Sequence, residues 1–402
     1  MNRRKIPAAG DAPAAALRNV QFVTSIAGAA FLDRLIVELG ERAWEVGSLH
    51  LPEAVGYRGS RGWRGRLNLR WQMYFKFSLN SWREARRRPA RVPVRVVTTN
   101  PFYNPAIVRL GAGGRAVTIN WVFDIFPEAF IQAGYLSRNS YFTRIAASPT
   151  RYAFRNCDAT VFVGEHLRTF AEAEYGAARR SAVIPIGADG QPFRDHPPRP
   201  VAVGQKTTLL YAGAMGRMHD TGTLAEALRA KVPESLCFVF HASGKRYGGL
   251  RAMLEASMTG DRLFAGAPLS RTAWVEVMSG AHVALVTEAR GAERVVMPSK
   301  TYSALVAGQA ILGICSARSD LADLINRHEC GWVVEPGDIA HLARVFAEIA
   351  NDPQALHAKR CRAFSAGHNE YDIGVIAQRW SILIQDLSNY KATPSCAGSR
   401  RC

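Results

Sequence analysis

The sequence predicts an α/β fold of two similar domains facing a cleft, each a parallel sheet with helices on both faces. Three observations predict it. Short apolar or β-branched runs alternate with amphipathic stretches along most of the chain. A proline-rich break, Arg194-Asp195-His196-Pro197-Pro198-Arg199-Pro200, interrupts that rhythm near the middle. The rhythm then restarts and runs for a similar length. Ligands in such sheets sit beyond the carboxyl ends of the strands, so two facing domains make a cleft there.

Residues 1–17 begin with basic residues and continue Ala/Pro/Gly-rich, which makes a poor secretory leader and reads as a mobile tail. The first domain, 18–193, opens with an apolar strand at 20–26 and an amphipathic helix at 31–44. A basic helix follows at 67–88, then buried strands at 93–99 and 116–122. A helix at 141–156, a strand at 159–163, a helix at 167–175 and a strand at 182–186 complete it. After a linker at 194–205, the second domain, 206–370, reads as strands at 207–212, 236–240, 262–264, 282–286, 310–314 and 331–334. Helices at 221–230, 247–256, 271–279, 300–307, 319–327 and 338–350 alternate with them. A final amphipathic helix at 371–389 is expected to pack back on the first domain, and 390–402 to form a flexible tail.

At 402 residues the chain is long enough for two substantial cores, and its 48% apolar and 21% charged composition excludes a disordered protein. Seven scattered cysteines, an odd number without a Cys-x-x-Cys, point to reduced thiols in a cytosol. No apolar run is long enough to span a bilayer. The net charge of +18 is uneven: residues 1–200 carry 29 Lys/Arg and 15 Asp/Glu, residues 201–402 carry 22 and 18. Arg58 to Arg95 holds twelve basic residues against one acid, Glu84, interleaved with aromatics. An anionic partner with an apolar boundary suits that segment: a membrane surface, or a nucleic acid. The apolar positions Leu67, Trp71, Tyr74, Phe75, Leu79 and Trp82 recur at helical spacing. That favours an interfacial helix presenting Arg64, Arg66, Arg70, Trp71, Trp82, Arg86 and Arg87 to an anionic membrane, with no nucleic acid expected. The bland reading is a core-packed helix with basic edges.

Two segments of the second domain carry the chemistry. In Met297-Pro298-Ser299-Lys300-Thr301-Tyr302-Ser303-Ala304-Leu305-Val306-Ala307-Gly308, a proline stops the preceding element, Ser299 offers an N-cap, and Lys300 stands in the first turn of a helix that Gly308 ends. A helix start beside a lysine suits a phosphate or diphosphate. Upstream, Tyr211-Ala212-Gly213-Ala214-Met215-Gly216-Arg217-Met218-His219-Asp220 reads as a strand, a glycine turn, an arginine and a helix start. Glycines let a ligand approach the backbone, and Arg217 offers a charged fork for diphosphate oxygens. An ordinary tight turn would look the same.

Together these segments resemble bacterial family-4 glycosyltransferases, whose GT-B fold pairs two Rossmann-like domains. The resemblance extends to Asp124-Ile125-Phe126-Pro127-Glu128, to Val183-Ile184-Pro185-Ile186-Gly187-Ala188-Asp189 and to Ser319-Asp320-Leu321-Ala322-Asp323-Leu324-Ile325 with Gly331-Trp332-Val333-Val334-Glu335-Pro336-Gly337-Asp338. It covers roughly 95–350 and is weak before that, where the family's glycine-rich loop is at best Ser25-Ile26-Ala27-Gly28-Ala29-Ala30. The resemblance implies an acceptor-binding first domain and a donor-binding second domain. It implies transfer of a sugar from a nucleotide-diphosphate donor to a hydroxyl of a glycan or lipid-linked acceptor, with retention, in surface-polysaccharide assembly on the inner face of the cytoplasmic membrane. The family's paired glutamates align with Val295 and Ser303 and are missing; Glu288 or Glu293 stands nearby as a substitute.

Charge grows on the leaving diphosphate, and an Asp-x-Asp pair for a divalent metal is absent from the sequence. Fixed cations are expected to meet that charge without metal or cofactor: Arg217 and Lys300, with Gly213, Gly216, Ser299, Tyr302 and Ser303 around the diphosphate. Asp124 is expected to reach the cleft and orient or deprotonate the acceptor, or else to cap the turn before Pro127. Glu128 reads as a helix-start charge with no chemical task. His219 and His241 are either donor contacts or, respectively, a helix cap and a core histidine. A nucleotide-sugar epimerase and a catalytically degenerate membrane- or anion-binding relative are the competing readings.

Overall fold

The computed structural model describes residues 18–25, 30–49, 63–87, 93–202, 204–230, 232–257 and 262–392. The expected tail at 1–17 and residues 26–29 of the loop expected to be glycine-rich lie outside them; of the tail expected at 390–402, residues 390–392 instead end the last helix and 393–402 lie outside.

The N-terminal lobe is a six-stranded parallel sheet of β1 (Asn19–Val23), β2 (Glu45–Leu49), β3 (Val94–Thr98), β4 (Val117–Val122), β5 (Ala159–Phe162) and β6 (Ser181–Val183), in the order β2-β1-β3-β4-β5-β6. Every residue of β3 and β4 is buried, as a central strand covered on both faces requires. Crossing segments are α1 (Ala30–Glu41), the helix α2 (Trp63–Trp71) running through a π-turn into α3 (Phe77–Arg87), α4 (Asn104–Ala112), α5 (Glu128–Gln132), α6 (Tyr141–Asn156) and α7 (Glu165–Tyr175).

The C-terminal lobe repeats the plan with β7 (Thr207–Ala214), β8 (Leu236–Ser243), β9 (Leu263–Gly266), β10 (Val283–Thr287), β11 (Ala310–Ile314) and β12 (Gly331–Val334), all parallel, ordered β12-β11-β10-β7-β8-β9. Its helices are α8 (Gly222–Arg229), α9 (Tyr247–Ser257), α10 (Arg271–Gly280), α11 (Lys300–Val306), α12 (Asp320–His328), α13 (Ile339–Asn351) and α14 (Pro353–Glu370). The strand order reverses between β7 and β10, and a crevice opens at that switch point.

The chain returns to the first lobe through α15 (Ile373–Ala392). Ala188 and Tyr371–Ile373 exchange backbone hydrogen bonds, and Trp380, fully buried, packs edge-on against Trp121 and Phe22 of the first sheet. A second tie lies at α7, whose first turn lacks a capping side chain of its own. Asp320 of α12 accepts from the amides of His166 (2.9 Å) and Leu167 (3.2 Å), so one lobe caps a helix of the other.

The basic helix turns four of its six named apolar positions outward; Tyr74 and Trp82 are half-buried, and Trp82, expected on the membrane face, packs instead beside Gly111 of α4. Leu67, Trp71, Phe75 and Leu79 are 59%, 59%, 61% and 45% exposed. The core side is made instead by Leu69, Phe77, Ser78, Ser81 and Ala85. The core-packed reading is therefore corrected for that stripe. Trp71 stacks on Phe75, and Arg86 lies over Trp82. Arg70, Arg86 and Arg87 are exposed; the side chains of Arg64 and Arg66 lie outside the described residues.

Candidate functional site

A cavity of about 1030 Å³ separates the lobes at the switch point of the second sheet. Its floor comes from the end of β7 and the turn after it; Gly213, next to last in the strand, has a φ of +131°, a conformation that favours glycine. A Cβ placed on Gly213 or Gly216 would meet nothing within 4 Å, so the backbone there is open to a ligand. Met218 and His219 continue that wall, and Glu288 follows β10. Ser299, Lys300 and Ser303 enter from one face of α11, spaced three and four residues apart as a shared helix face demands. Phe31, Asp33, Arg34 and the segment Ile186–Asp189 supply the N-terminal wall.

Lys300 is the centre of the charge pattern. Its ammonium donates to the Tyr211 hydroxyl and lies 3.9 Å from the Tyr211 ring centre. Burial pushes this amine down to about 7, with Glu288 opposing. Glu288 is buried, and one of its carboxyl oxygens has no hydrogen-bond partner. Burial, then Glu293 and Asp320, push its acid up to about 8. His219 donates from Nδ1 to the Thr287 carbonyl (2.8 Å), which leaves Nε2 as an acceptor. Burial and the neighbouring Lys300 drive its pKa down to about 4, so the ring is neutral at pH 7. Arg34 is held by Glu38 at 3.1 Å and Asp189 at 3.5 Å.

Several expected site residues are placed elsewhere. Arg217 does not join Lys300: Gly216 and Met218 face the cavity, and the intervening Arg217 points to the other lobe. It donates there to the Ala133 carbonyl and stacks on Tyr135. Gln132 donates to the Arg290 carbonyl (2.7 Å) and the Ile125 amide to Val295 (3.4 Å), so Arg217 belongs to a set of interlobe bonds. Tyr302 is turned about 200° from Lys300 around the helix; it is buried against Tyr371 and away from the cavity. Ser299 makes no capping hydrogen bond and leaves its hydroxyl at the cavity. His241 bonds the Ala267 carbonyl and packs on Phe264, outside the cavity wall. Glu293 is off the wall too and acts on it only through Glu288.

Asp124 occupies a separate small pocket with Thr99, Phe102, Asn120, Phe126 and Thr150. Burial raises its acid to about 6. Glu128 is no surface helix charge: it is buried, paired with Arg138 (2.7 Å) and accepts from the Tyr175 hydroxyl (2.9 Å). Tyr211, Asp33 and Trp274 were not legible as site residues: nothing local marks a buried strand tyrosine as the partner of a lysine 89 residues on, or helix-start residues as lining the cavity.

This two-lobed arrangement has close structural parallels. HepE from Anabaena, solved in complex with UDP, superposes with a TM-score of 0.64 over 92% of this chain and 99% of its own, at 13% identity. Sucrose-phosphate synthase from Thermosynechococcus elongatus gives 0.68 over the same shares at 12% identity. WaaG, a glycosyltransferase involved in lipopolysaccharide biosynthesis, gives 0.61 over 91% and 99% at 17% identity. The fold is GT-B. In sequence, the chain is 24% identical over 271 residues to the probable glycosyltransferase WbjE of Pseudomonas aeruginosa, a match spanning 64% of this chain and 66%, just under two thirds, of that protein. No family model matches the sequence.

Proposed function

We propose that the protein is a retaining glycosyltransferase that moves a sugar from a nucleoside-diphosphate donor to a hydroxyl of a glycan or lipid-linked acceptor. The interlobe cavity carries the reading: open glycine backbone on one side, Ser299, Lys300 and Ser303 on the other, and room for a nucleotide sugar. As the anomeric C–O bond breaks, its electron pair leaves with the diphosphate, and the Lys300 ammonium with the neighbouring hydroxyls stabilises that charge. The acceptor oxygen forms the new C–O bond and gives up its proton. Asp124, with its acid raised to about 6 by burial, lies outside the cavity lining but is the N-terminal-lobe carboxyl we assign to take that proton. The sequence offers no Asp-x-Asp pair, which favours a reaction independent of divalent metal.

The acceptor side of the reading rests on the basic helix. Leu67, Trp71, Phe75 and Leu79 form an exposed apolar stripe rimmed by Arg70, Arg83, Arg86 and Arg87, the pattern of a helix lying in an anionic membrane interface. Among the described residues no helix is long and apolar enough to cross a membrane. Surface attachment at the inner leaflet would bring a lipid-linked acceptor to the cleft, as surface-polysaccharide assembly needs.

The test is an assay of nucleotide sugars with a membrane extract, with and without EDTA. Donor-dependent, EDTA-resistant transfer is expected. Isomerised free donor would instead mark an epimerase, and binding without turnover a degenerate relative.

A further inference from the structure

A second charged concavity, about 340 Å³, lies at the far end of the N-terminal lobe. Asp158, Arg179 and Arg180 stand just before β5 and β6, and Ala116 just before β4. The site is therefore at the amino edge of the sheet, opposite the carboxyl edge that faces the cleft. The last turns of α15 cover it with Leu387, Tyr390 and Lys391.

Its charge is unbalanced. Arg109, Arg179, Arg180 and Lys391 line it against one carboxylate, Asp158, a formal excess of three positive charges. Asp158 is spread over three of them: Arg109 at 3.4 Å, Lys391 at 3.4 Å and Arg179 at 4.0 Å. It also accepts from the Thr118 amide at 2.8 Å. Arg180 has the face of Tyr390 for company, 4.3 Å from the ring centre. Burial lowers the Lys391 pKa, and Arg109 and Arg179 push it the same way against Asp158. A concave group of cations that repel one another focuses the field onto an anion, and planar guanidinium forks match phosphate oxygens.

We infer that this concavity is a binding site for a phosphate monoester or diphosphate, distinct from the donor cleft. A ligand with two negative charges would offset most of the excess, and the volume suits a small phosphorylated molecule or a lipid phosphate headgroup. The inference does not depend on the transferase reading.

The experiment is calorimetric titration of the full chain carrying Lys300→Ala, which weakens the cleft, with sodium pyrophosphate. Saturable binding is expected, weakened about tenfold or more by adding Arg179→Ala and Arg180→Ala. Lys391→Gln, at the open end of α15, is expected to weaken it as well. Retained melting temperature without ligand shows that the variants fold. No saturable binding, or equal affinity with and without the arginines, overturns the inference. The two sources separate by comparing glycerol phosphate with vesicles of zwitterionic lipid doped with a phosphomonoester lipid. Arginine-dependent binding of either supports the site and identifies its ligand; arginine-independent binding of both overturns it.

Discussion

The ammonium of Lys300 lies 3.9 Å from the centre of the Tyr211 ring and donates to the hydroxyl of the same side chain. A lysine on α11 is thereby anchored by a strand residue, which fixes it at the mouth of the glycine turn. Cation–ring contact and hydrogen bond each contribute on the order of 1–2 kcal/mol when desolvated. Tyr211→Phe keeps the ring and loses the hydroxyl. Its affinity for a nucleoside diphosphate is expected to fall by about tenfold or less, measured by calorimetry.

The amine should make binding pH-dependent. With a pKa of about 7 in the empty site, Lys300 is charged below pH 7 and neutral above it. A bound diphosphate restores the charge, so binding above pH 7 takes up a proton. Affinity is expected to fall by up to about tenfold per pH unit there. Glu288, ionising near 8, adds repulsion in the same direction. Titrations at pH 8 in buffers of different ionisation enthalpy report the proton uptake, and Lys300→Arg is expected to abolish its lysine component.

Glu288 carries a stability signature. Its folded pKa is raised from 4.5 to about 8. The folded state then holds a proton that the unfolded state has lost, so this residue's contribution to stability declines as pH rises from about 4.5 to about 8. Glu288→Gln, a neutral near-isostere, is expected to raise the melting temperature relative to wild type at pH 8.5 and to leave it nearly equal at pH 4.5. Equal melting curves at both pH values would argue against a buried acid at this position.

The membrane face gives a further contrast. Trp71→Ser with Phe75→Ser removes two exposed rings, and exposed substitutions usually change stability by only about 0.5 kcal/mol. Flotation with anionic vesicles is expected to drop severalfold while the melting temperature holds.

Much of the fold was legible. The helix at 141–156 and the strands at 310–314 and 331–334 have the bounds their apolar periodicity gives. Other elements were not. β2 is an edge strand, Glu45-Val46-Gly47-Ser48-Leu49, mostly exposed and without apolar alternation. α4 opens with Asn104-Pro105 and is capped by Gly113, so its short apolar face hides between turn signals. α14 buries small residues, such as Ala363 and Gly367, against α11 and shows no clear apolar stripe. At the site, Lys300, Gly213, Gly216, Ser299 and Ser303 were readable from local motifs. The direction of Arg217 was not, because an exposed loop arginine is steered by the partner lobe and not by its neighbours in sequence.

The C-terminal helix is a test of assembly. Trp380 is fully buried against Trp121 and Phe22, so Trp380→Ala is expected to cost about 3–5 kcal/mol. Denaturant titration measures it, and a loss below about 1 kcal/mol would contradict the packing of α15 on the first lobe.

The most direct measurement is calorimetric binding of UDP to the full chain and to its Lys300→Ala and Tyr302→Phe variants. Loss of affinity by about a hundredfold for Lys300→Ala, with Tyr302→Phe unchanged, is the expected result. Equal UDP affinity with and without the lysine would contradict a diphosphate held at this cavity.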